Sequence, residues 1–408
     1  MRFRETGAVI MSNFAESGEM LVYRPIAGKG NGLVSDRAFS AGDFLFSEYP
    51  FVWARDSSWD SAESRRVGDS SCSECGRFFR LDAPDHVPPV TCAPCGAKYC
   101  GAACMQQASA VHHTVLCGHV DAFENTLGPK LTAHMSCAVK IVAKILIDAA
   151  AHRDAASTAS TPAALDASVE RVMGQFAQPL FTHSIHAFRG GREMPESLFA
   201  DMFLSNYFDG YLLEGYEATC TLLAATAPSG GAVPAFFTQA FYDGVMGMLL
   251  TNCQSVLLEQ GGQGRRDAGG DGESDGEGGG ARMQVKGTAL YALYSKANHA
   301  CEGDWTNRPL MCREEASCAG DGEGDTETER YERVGVNIYA GRNIARGDEV
   351  MNCYFAEGSG EGLSKSQRRE KLLQYRFLCK CRICLDEASS DSDSDSDSDG
   401  DSDIDSGS

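Results

Sequence analysis

Ala297-Asn298-His299-Ala300-Cys301 is followed downstream by Cys379-Lys380-Cys381-Arg382-Ile383-Cys384. The first stretch sets an amide, an imidazole and a thiol close together; the second spaces three thiols as C-x-C-x-x-C. An Asn-His dipeptide alone carries no chemical message. An Asn-His-x-Cys segment with such a thiol cluster behind it is a rare combination, and the rest of the chain is read outward from it.

Thiols dominate the wider reading. The chain has 17 cysteines among 408 residues, and they gather at short spacings. The N-terminal MRFRETGAVIMSNFAES lacks the continuous apolar core of a secretory signal. No apolar run approaches the ~20 residues that span a bilayer, so no membrane segment is expected. Short-spaced cysteines without a secretory signal are metal ligands before they are disulfides. They point to the nucleus or the cytoplasm, where thiols stay reduced. In the densest run, Cys72-x2-Cys75, Cys92-x2-Cys95, Cys100-x3-Cys104 and His113-x3-Cys117 supply eight ligands, enough for two tetrahedral zinc sites. His112 competes with His113, but only His113 has the x3 spacing to Cys117. Sites with all four positions filled are structural, so their use is peptide or partner binding rather than catalysis.

Residues 21–53 alternate short β-rich runs with glycine turns. Gly28-Lys29-Gly30-Asn31-Gly32-Leu33 is a tight loop leading into a strand pair turned at Ser40-Ala41-Gly42-Asp43. Alone, that loop is as readily a hairpin turn as a binding loop. From about Asp121 to Val256, apolar spacings of three and four predict helices. VGVNIYAGRNIARGDEVMNCYF predicts strand, a turn at Ala345-Arg346-Gly347-Asp348, and strand; SKSQRREKLL, from Ser364, predicts a basic amphipathic helix. Two Gly/Asp/Glu-rich stretches, 260–283 and 314–332, cannot bury enough apolar surface to offset their ordering entropy and are expected to be disordered. The same holds for 386–408, where serine and aspartate nearly alternate and each serine resembles an acidophilic-kinase site. That tail holds ten acidic residues and no Lys or Arg, about half of the net charge of −21. With the acid concentrated there, a basic target peptide is the natural partner, and direct nucleic-acid binding is not expected.

The order of these pieces resembles the SET-and-MYND-domain family of lysine methyltransferases over about residues 20–385, in its short branch with an acidic C-terminal tail. The resemblance rests on the MYND-type cysteine spacing and on the Asn-His-x-Cys and C-x-C-x-x-C pair. The G-x-G-x-G-L loop at Gly28 and the Gly347-Asp348-Glu349 run ending in Tyr354 add to it. It implies a mixed α+β fold. A β-rich SET domain with a knot-like active site would be interrupted by a MYND zinc finger and a helical insert, then closed by a post-SET zinc site. The boundaries are 1–66 for the SET N-terminal part, 67–118 for the finger and 119–244 for the insert. The SET C-terminal part would be 245–358, the post-SET segment 359–385 and the tail 386–408. The family's interleaved pairing puts Cys72, Cys75, Cys100 and Cys104 on one zinc and Cys92, Cys95, His113 and Cys117 on another. Cys301, Cys379, Cys381 and Cys384 would complete a third, clamping the C-terminal segment over the cofactor.

The implied activity is S-adenosyl-L-methionine-dependent protein-lysine N-methylation of a histone or non-histone protein. Its chemistry, an in-line displacement at a methyl group, needs a neutral amine, alignment and exclusion of water. By the resemblance, Lys29, Gly30 and Asn31 lie against the methionine end of the cofactor, and Asn252 contacts it. Asn298 and His299 hold its adenine and amino-acid ends, Phe377 covers the adenine and Tyr375 lines the lysine channel. Tyr354 is the catalytic tyrosine, its ring facing the cationic sulfonium and its hydroxyl the amine. A second reading is a catalytically weak zinc scaffold, a transcriptional co-regulator whose finger binds proline-containing peptides. The set Tyr354, Asn298, His299 and Phe377 favours the enzyme. One departure stands out: the family follows the cysteine of this segment with x-Pro-Asn, whereas Cys301 is followed by Glu302-Gly303-Asp304. By sequence, this is the weak point of the segment.

Overall fold

A computed structural model describes residues 20–27, 29–55, 71–76, 79, 88–128, 131–152, 162–176, 207–226, 232–259, 283–308, 312–315, 330–333, 335–355, 362–372, 375, 377 and 379–386. The chain divides into two compact units, each entered more than once. One comprises Met1–Gly18, Phe46–Lys296 and Asn307–Asn337; the other comprises Glu19–Leu45, Ala297–Thr306 and Ile338–Ser408. Strand and helix are mixed throughout.

In the second unit, strands Leu21–Ile26 and Gly30–Ser35 pair antiparallel, Ile26 opposite Gly30. Gly30 has φ +83°, a conformation that costs a Cβ-bearing residue energy, so the reversal falls at this glycine. Glu349–Val350 adds to the other edge of 30–35, with Glu349 opposite Val34. The expected pairing across Ser40–Asp43 is therefore not made by 30–35. Its hairpin partner is the preceding strand, because the glycine loop already turns the chain back. Phe39 and Gly42 pair instead with Ile344 and Ala340. The two predicted turns are built alike. Asp43 accepts the Ser40 N–H and Asp348 the Ala345 N–H, each after a positive-φ glycine. Leu33, Val34, Phe39, Ile338, Ile344 and Val350 fill the interior of this unit. Helices Lys365–Leu372 and Arg382–Asp386 follow.

The larger unit sets a three-stranded sheet beside helices. Met283–Leu290 is its central strand, flanked by Val52–Arg55 and Gln254–Glu259. Its helices are Ala102–Ala108, Val120–Leu127, Ala133–Ala151, Pro162–Met173, Tyr207–Thr226 and Gln239–Asn252. Thr132 and Thr238 start two of them by accepting the N–H groups of Met135 and Phe241. Met135, Ile141, Ile145, Tyr242, Met248 and Leu249 are buried where the helices meet. At Gly215 a Cβ would stand 2.3 Å from the Tyr242 hydroxyl, so glycine is what lets 207–226 and 239–252 approach. Glu48 is buried here and accepts the N–H groups of Leu293 and Tyr294 at 2.8 and 2.9 Å. Burial pushes its carboxyl up to about 7, against the pull of those N–H groups and of Lys296.

Of the stretches expected to be disordered, 260–282, 316–329 and 387–408 lie outside the described residues. The ends of the second stretch are a correction: Cys312–Glu315 and Arg330–Arg333 pair antiparallel, Glu314 opposite Tyr331. Composition averaged over the whole stretch hid two short strands whose backbone groups satisfy each other. No described helix is long and apolar enough to cross a membrane.

Candidate functional site

Two clusters of metal-ligand atoms lie in the larger unit. The ligand atoms of Cys72, Cys75, Cys100 and Cys104 are all within 4.8 Å of one another, as are those of Cys92, Cys95, His113 and Cys117. Each C-x-x-C closes on a glycine: Gly76 donates to the Cys72 carbonyl and Gly96 to that of Cys92, at φ +71° and +72°. His113 Nε2 stands 3.3 Å from the Cys92 sulfur, whereas His112 Nε2 turns to Glu74 at 2.9 Å. Burial lowers the pKa of both imidazoles, which favours the neutral form that a metal needs. Lys140, partly buried, donates to the carbonyls of Trp53 and Ser73, tying helix 133–151 to the first cysteine turn.

A third cluster lies in the other unit. The sulfurs of Cys301, Cys379, Cys381 and Cys384 are also within 4.8 Å of one another. Cys301 stands 3.5 Å from Cys384 and 3.8 Å from Cys379. Zinc bound tetrahedrally at ~2.3 Å sets its sulfurs about 3.8 Å apart, so these thiol sets fit the ion. Arg368, buried, brings Nη2 to 3.7 Å from the Cys384 sulfur, a cation beside a cluster that would carry thiolate charge.

Around Cys301 two segments run side by side. Asn352 donates to the Asn298 carbonyl at 2.8 Å, and its own carbonyl accepts the Ala300 N–H at 2.9 Å. Two residues after Asn352, the Tyr354 N–H donates to His299 Nδ1 at 3.0 Å. That bond requires Nδ1 to be unprotonated, which puts the ring proton on Nε2, 3.5 Å from the Cys301 sulfur. Burial supports the neutral ring, lowering its pKa to about 4. His299 thus links the tyrosine segment to the thiol cluster. The Tyr354 hydroxyl donates to the Ala297 carbonyl at 2.8 Å. Its ring packs on Tyr375 at 4.7 Å, His299 at 5.0 Å and Phe377 at 6.2 Å. Phe355 closes on His299 from another side at 5.1 Å. Burial raises the Tyr375 pKa, keeping its phenol neutral.

A polar cluster adjoins this one. Asn298 Nδ2 donates to the Asn31 carbonyl at 3.0 Å and to Glu349 at 2.8 Å; Lys29 pairs with Glu349 at 2.6 Å and reaches the Met351 sulfur at 3.3 Å. Gly32 lies beneath them, where a Cβ would be 2.6 Å from Asn298 Nδ2. Lys29, Gly30, Asn31 and Asn298 therefore meet in one place, and His299, Tyr354, Tyr375 and Phe377 in another, joined through the 298–299 peptide. Asn252 lies in the larger unit at the end of its helix, donating to the Met248 carbonyl and the Thr251 hydroxyl, both at 2.9 Å. The sequence reading did not single out Glu349, Met351, Phe355 or Arg342. Glu349 had a signal in Gly347-Asp348-Glu349; the others depend on register between distant segments.

The residues after Cys301 are tied into the fold. Gly303 packs where a Cβ would be 2.7 Å from the Cys353 nitrogen. Asp304 is buried and bound to both Met351 and Arg342. A carboxylate with two fixed partners closes the segment.

No protein-family model matches the chain. A stretch of 95 residues, 23% of the chain, is 34% identical to the histone-lysine N-methyltransferase SET5 of Mycosarcoma maydis. The match covers 18% of that protein's length. The crystal structure of the SET domain of LSMT bound to lysine and AdoHcy aligns with 88% of this chain and 52% of its own, at 11% identity and a TM-score of 0.36. The SET5 match relates the chain, over that stretch, to the SET-type lysine methyltransferases.

Proposed function

We propose that the protein is an S-adenosyl-L-methionine-dependent protein-lysine N-methyltransferase, with a MYND-type finger holding two zinc ions and a post-SET zinc at Cys301, Cys379, Cys381 and Cys384. One observation carries this reading: Tyr354 is held by its hydroxyl, its N–H and its ring at once, among Tyr375, Phe377 and His299, beside the Asn298 cluster. The stretch shared with a histone-lysine methyltransferase supports it.

The residues suit such a reaction. When bound, S-adenosylmethionine supplies a methyl group activated by its sulfonium charge. Asn298, His299 and the loop at Lys29–Asn31 would hold it through amide and backbone groups, and Phe377 would cover its base. The ring faces of Tyr354, Tyr375 and Phe377 attract a cation and exclude water. The Tyr354 O–H donates to the Ala297 carbonyl, and a phenol oxygen that donates can also accept an N–H, here from a lysine amine whose nitrogen it would aim. That amine can lose its proton to water before it is enclosed, so no strong base is required. Alignment and fixed dipoles carry the acceleration. Histones are the first substrates to test, and the nucleus and cytoplasm are the proposed locations.

The experiment is calorimetry with S-adenosylhomocysteine, followed by transfer of labelled methyl to core histones and to a whole lysate. Saturable binding and label on lysine are expected. Binding without labelled product would shift the reading to a zinc scaffold, and absence of both would remove it.

A further inference from the structure

Asp304 binds Met351 from two directions. Its N–H donates to the Met351 carbonyl at 2.7 Å, and its Oδ2 accepts the Met351 N–H at 3.0 Å. Its Oδ1 takes the Arg342 guanidinium through Nε and Nη2, and its carbonyl accepts the Gly341 N–H at 2.7 Å. The Asp304 side chain is 2% exposed, so its bond to the Met351 N–H faces little competition from water, while the Arg342 side chain is 58% exposed. From Met351 the ladder continues: Asn352 is bound by Asn298 and Ala300, and Tyr354 by His299. Asp304 therefore folds back beyond the parallel bridge of His299 with Asn352 and fastens the residue just before it, on the segment that ends in Tyr354. Met351 also touches Lys29, which pairs with Glu349, so the same fastening bears on the polar cluster at Asn298.

We propose that Asp304 is a positioning residue for methyl transfer, setting through Met351 the placement of the segment that ends in Tyr354. The proposal rests on the methyltransferase reading and deepens it. The chemistry calls for a carboxylate: one oxygen faces a guanidinium and the other a backbone N–H, both donors. An asparagine has one acceptor, so its NH2 must confront one of them. Asp304→Asn is therefore a disruptive change despite its matching shape, and Arg342→Lys is the conservative one, keeping a cation at Oδ1.

The test uses the full zinc-loaded chain, core histones as substrate, and amide exchange of the peptide spanning 349–355. In Asp304→Asn, exchange in that peptide should speed up about tenfold or more with zinc content unchanged. Its kcat should fall about 30-fold while KM moves less than about threefold, and Arg342→Lys should retain most of both properties. Wild-type exchange in Asp304→Asn, or a kcat loss no larger than its unfolded fraction, would overturn the proposal. A wild-type chain that neither binds S-adenosylhomocysteine nor methylates histones removes the functional reading instead. The exchange measurement then still decides whether Asp304 holds the segment.

Discussion

At Tyr354 a single hydroxyl separates two duties. Its donation to Ala297 at 2.8 Å is structural; its lone pairs are what an incoming amine would meet. Tyr354→Phe removes both while keeping the ring on Tyr375 and His299. Methyl transfer should fall about 100-fold or more, in the range of losing one aimed polar group. Stability should drop only by about 1 kcal/mol, the net value of one hydrogen bond. Turnover equal to wild type would take Tyr354 out of the chemistry. Gly32 makes a different demand. A Cβ there meets Asn298 Nδ2 at 2.6 Å and Glu349 at 2.9 Å, and Asn298 is pinned by two hydrogen bonds. Gly32→Ala should cost about 1–3 kcal/mol, as overpacking does. It should also weaken S-adenosylhomocysteine binding about tenfold, since about 1.4 kcal/mol is a factor of ten. Calorimetry showing unaltered affinity would mean that Asn298 does not face the cofactor. The sequence pointed to Asn298, His299 and Tyr354 because a family motif names them. It could not show Asp304 and Arg342 as partners, because that contact is set by the register of segments far apart in the chain.

Among the elements, strand Phe44–Glu48 ends in a buried carboxylate that caps the turn into the 3₁₀ segment Tyr294–Lys296. The folded pKa of Glu48, about 7, lies above the ordinary 4.5. Its protonated form is therefore the better tolerated one in the fold. The stability it lends is present below the ordinary value and is lost as pH rises through about 7. Between about pH 5.5 and 7 the loss is about 2 kcal/mol. Glu48→Gln cannot titrate, so the gap in Tm between wild type and variant should narrow across that range. A gap independent of pH would show that the two N–H bonds keep Glu48 ionised throughout. Elements of this kind were legible where pattern and spacing act locally, as in helix 133–151 and the two Gly-Asp turns. The strand pairings were not. The loop before Gly30 and the turn at Ser40–Asp43 both signal reversals, and only packing decides which one joins neighbouring strands.

For the whole molecule, the three thiol clusters divide between the two units, two in the larger and one in the other. Their ligands come from chain segments that no single helix or sheet connects, so metal affinity becomes folding free energy. Bound zinc in such sites is worth about 10–16 kcal/mol near neutral pH, comparable to or above the stability of a whole domain. Elemental analysis should therefore find about three zinc ions per chain, the number of four-ligand sets. The division gives a sharper expectation. Cys379→Ser opens only the cluster that adjoins His299, Tyr354 and Phe377. Zinc content should fall to about two per chain, one site's worth, and S-adenosylhomocysteine binding should disappear, while the helices of the larger unit keep their far-ultraviolet signal. Cys72→Ser acts in the other unit and should lower zinc without abolishing binding of S-adenosylhomocysteine. If both variants lose the ligand equally, the finger is no separate module, and the two units depend on one another for their metal. If Cys379→Ser binds the ligand as wild type does, the third zinc does not hold the aromatic cluster in place, and His299 does not transmit the state of Cys301 to Tyr354.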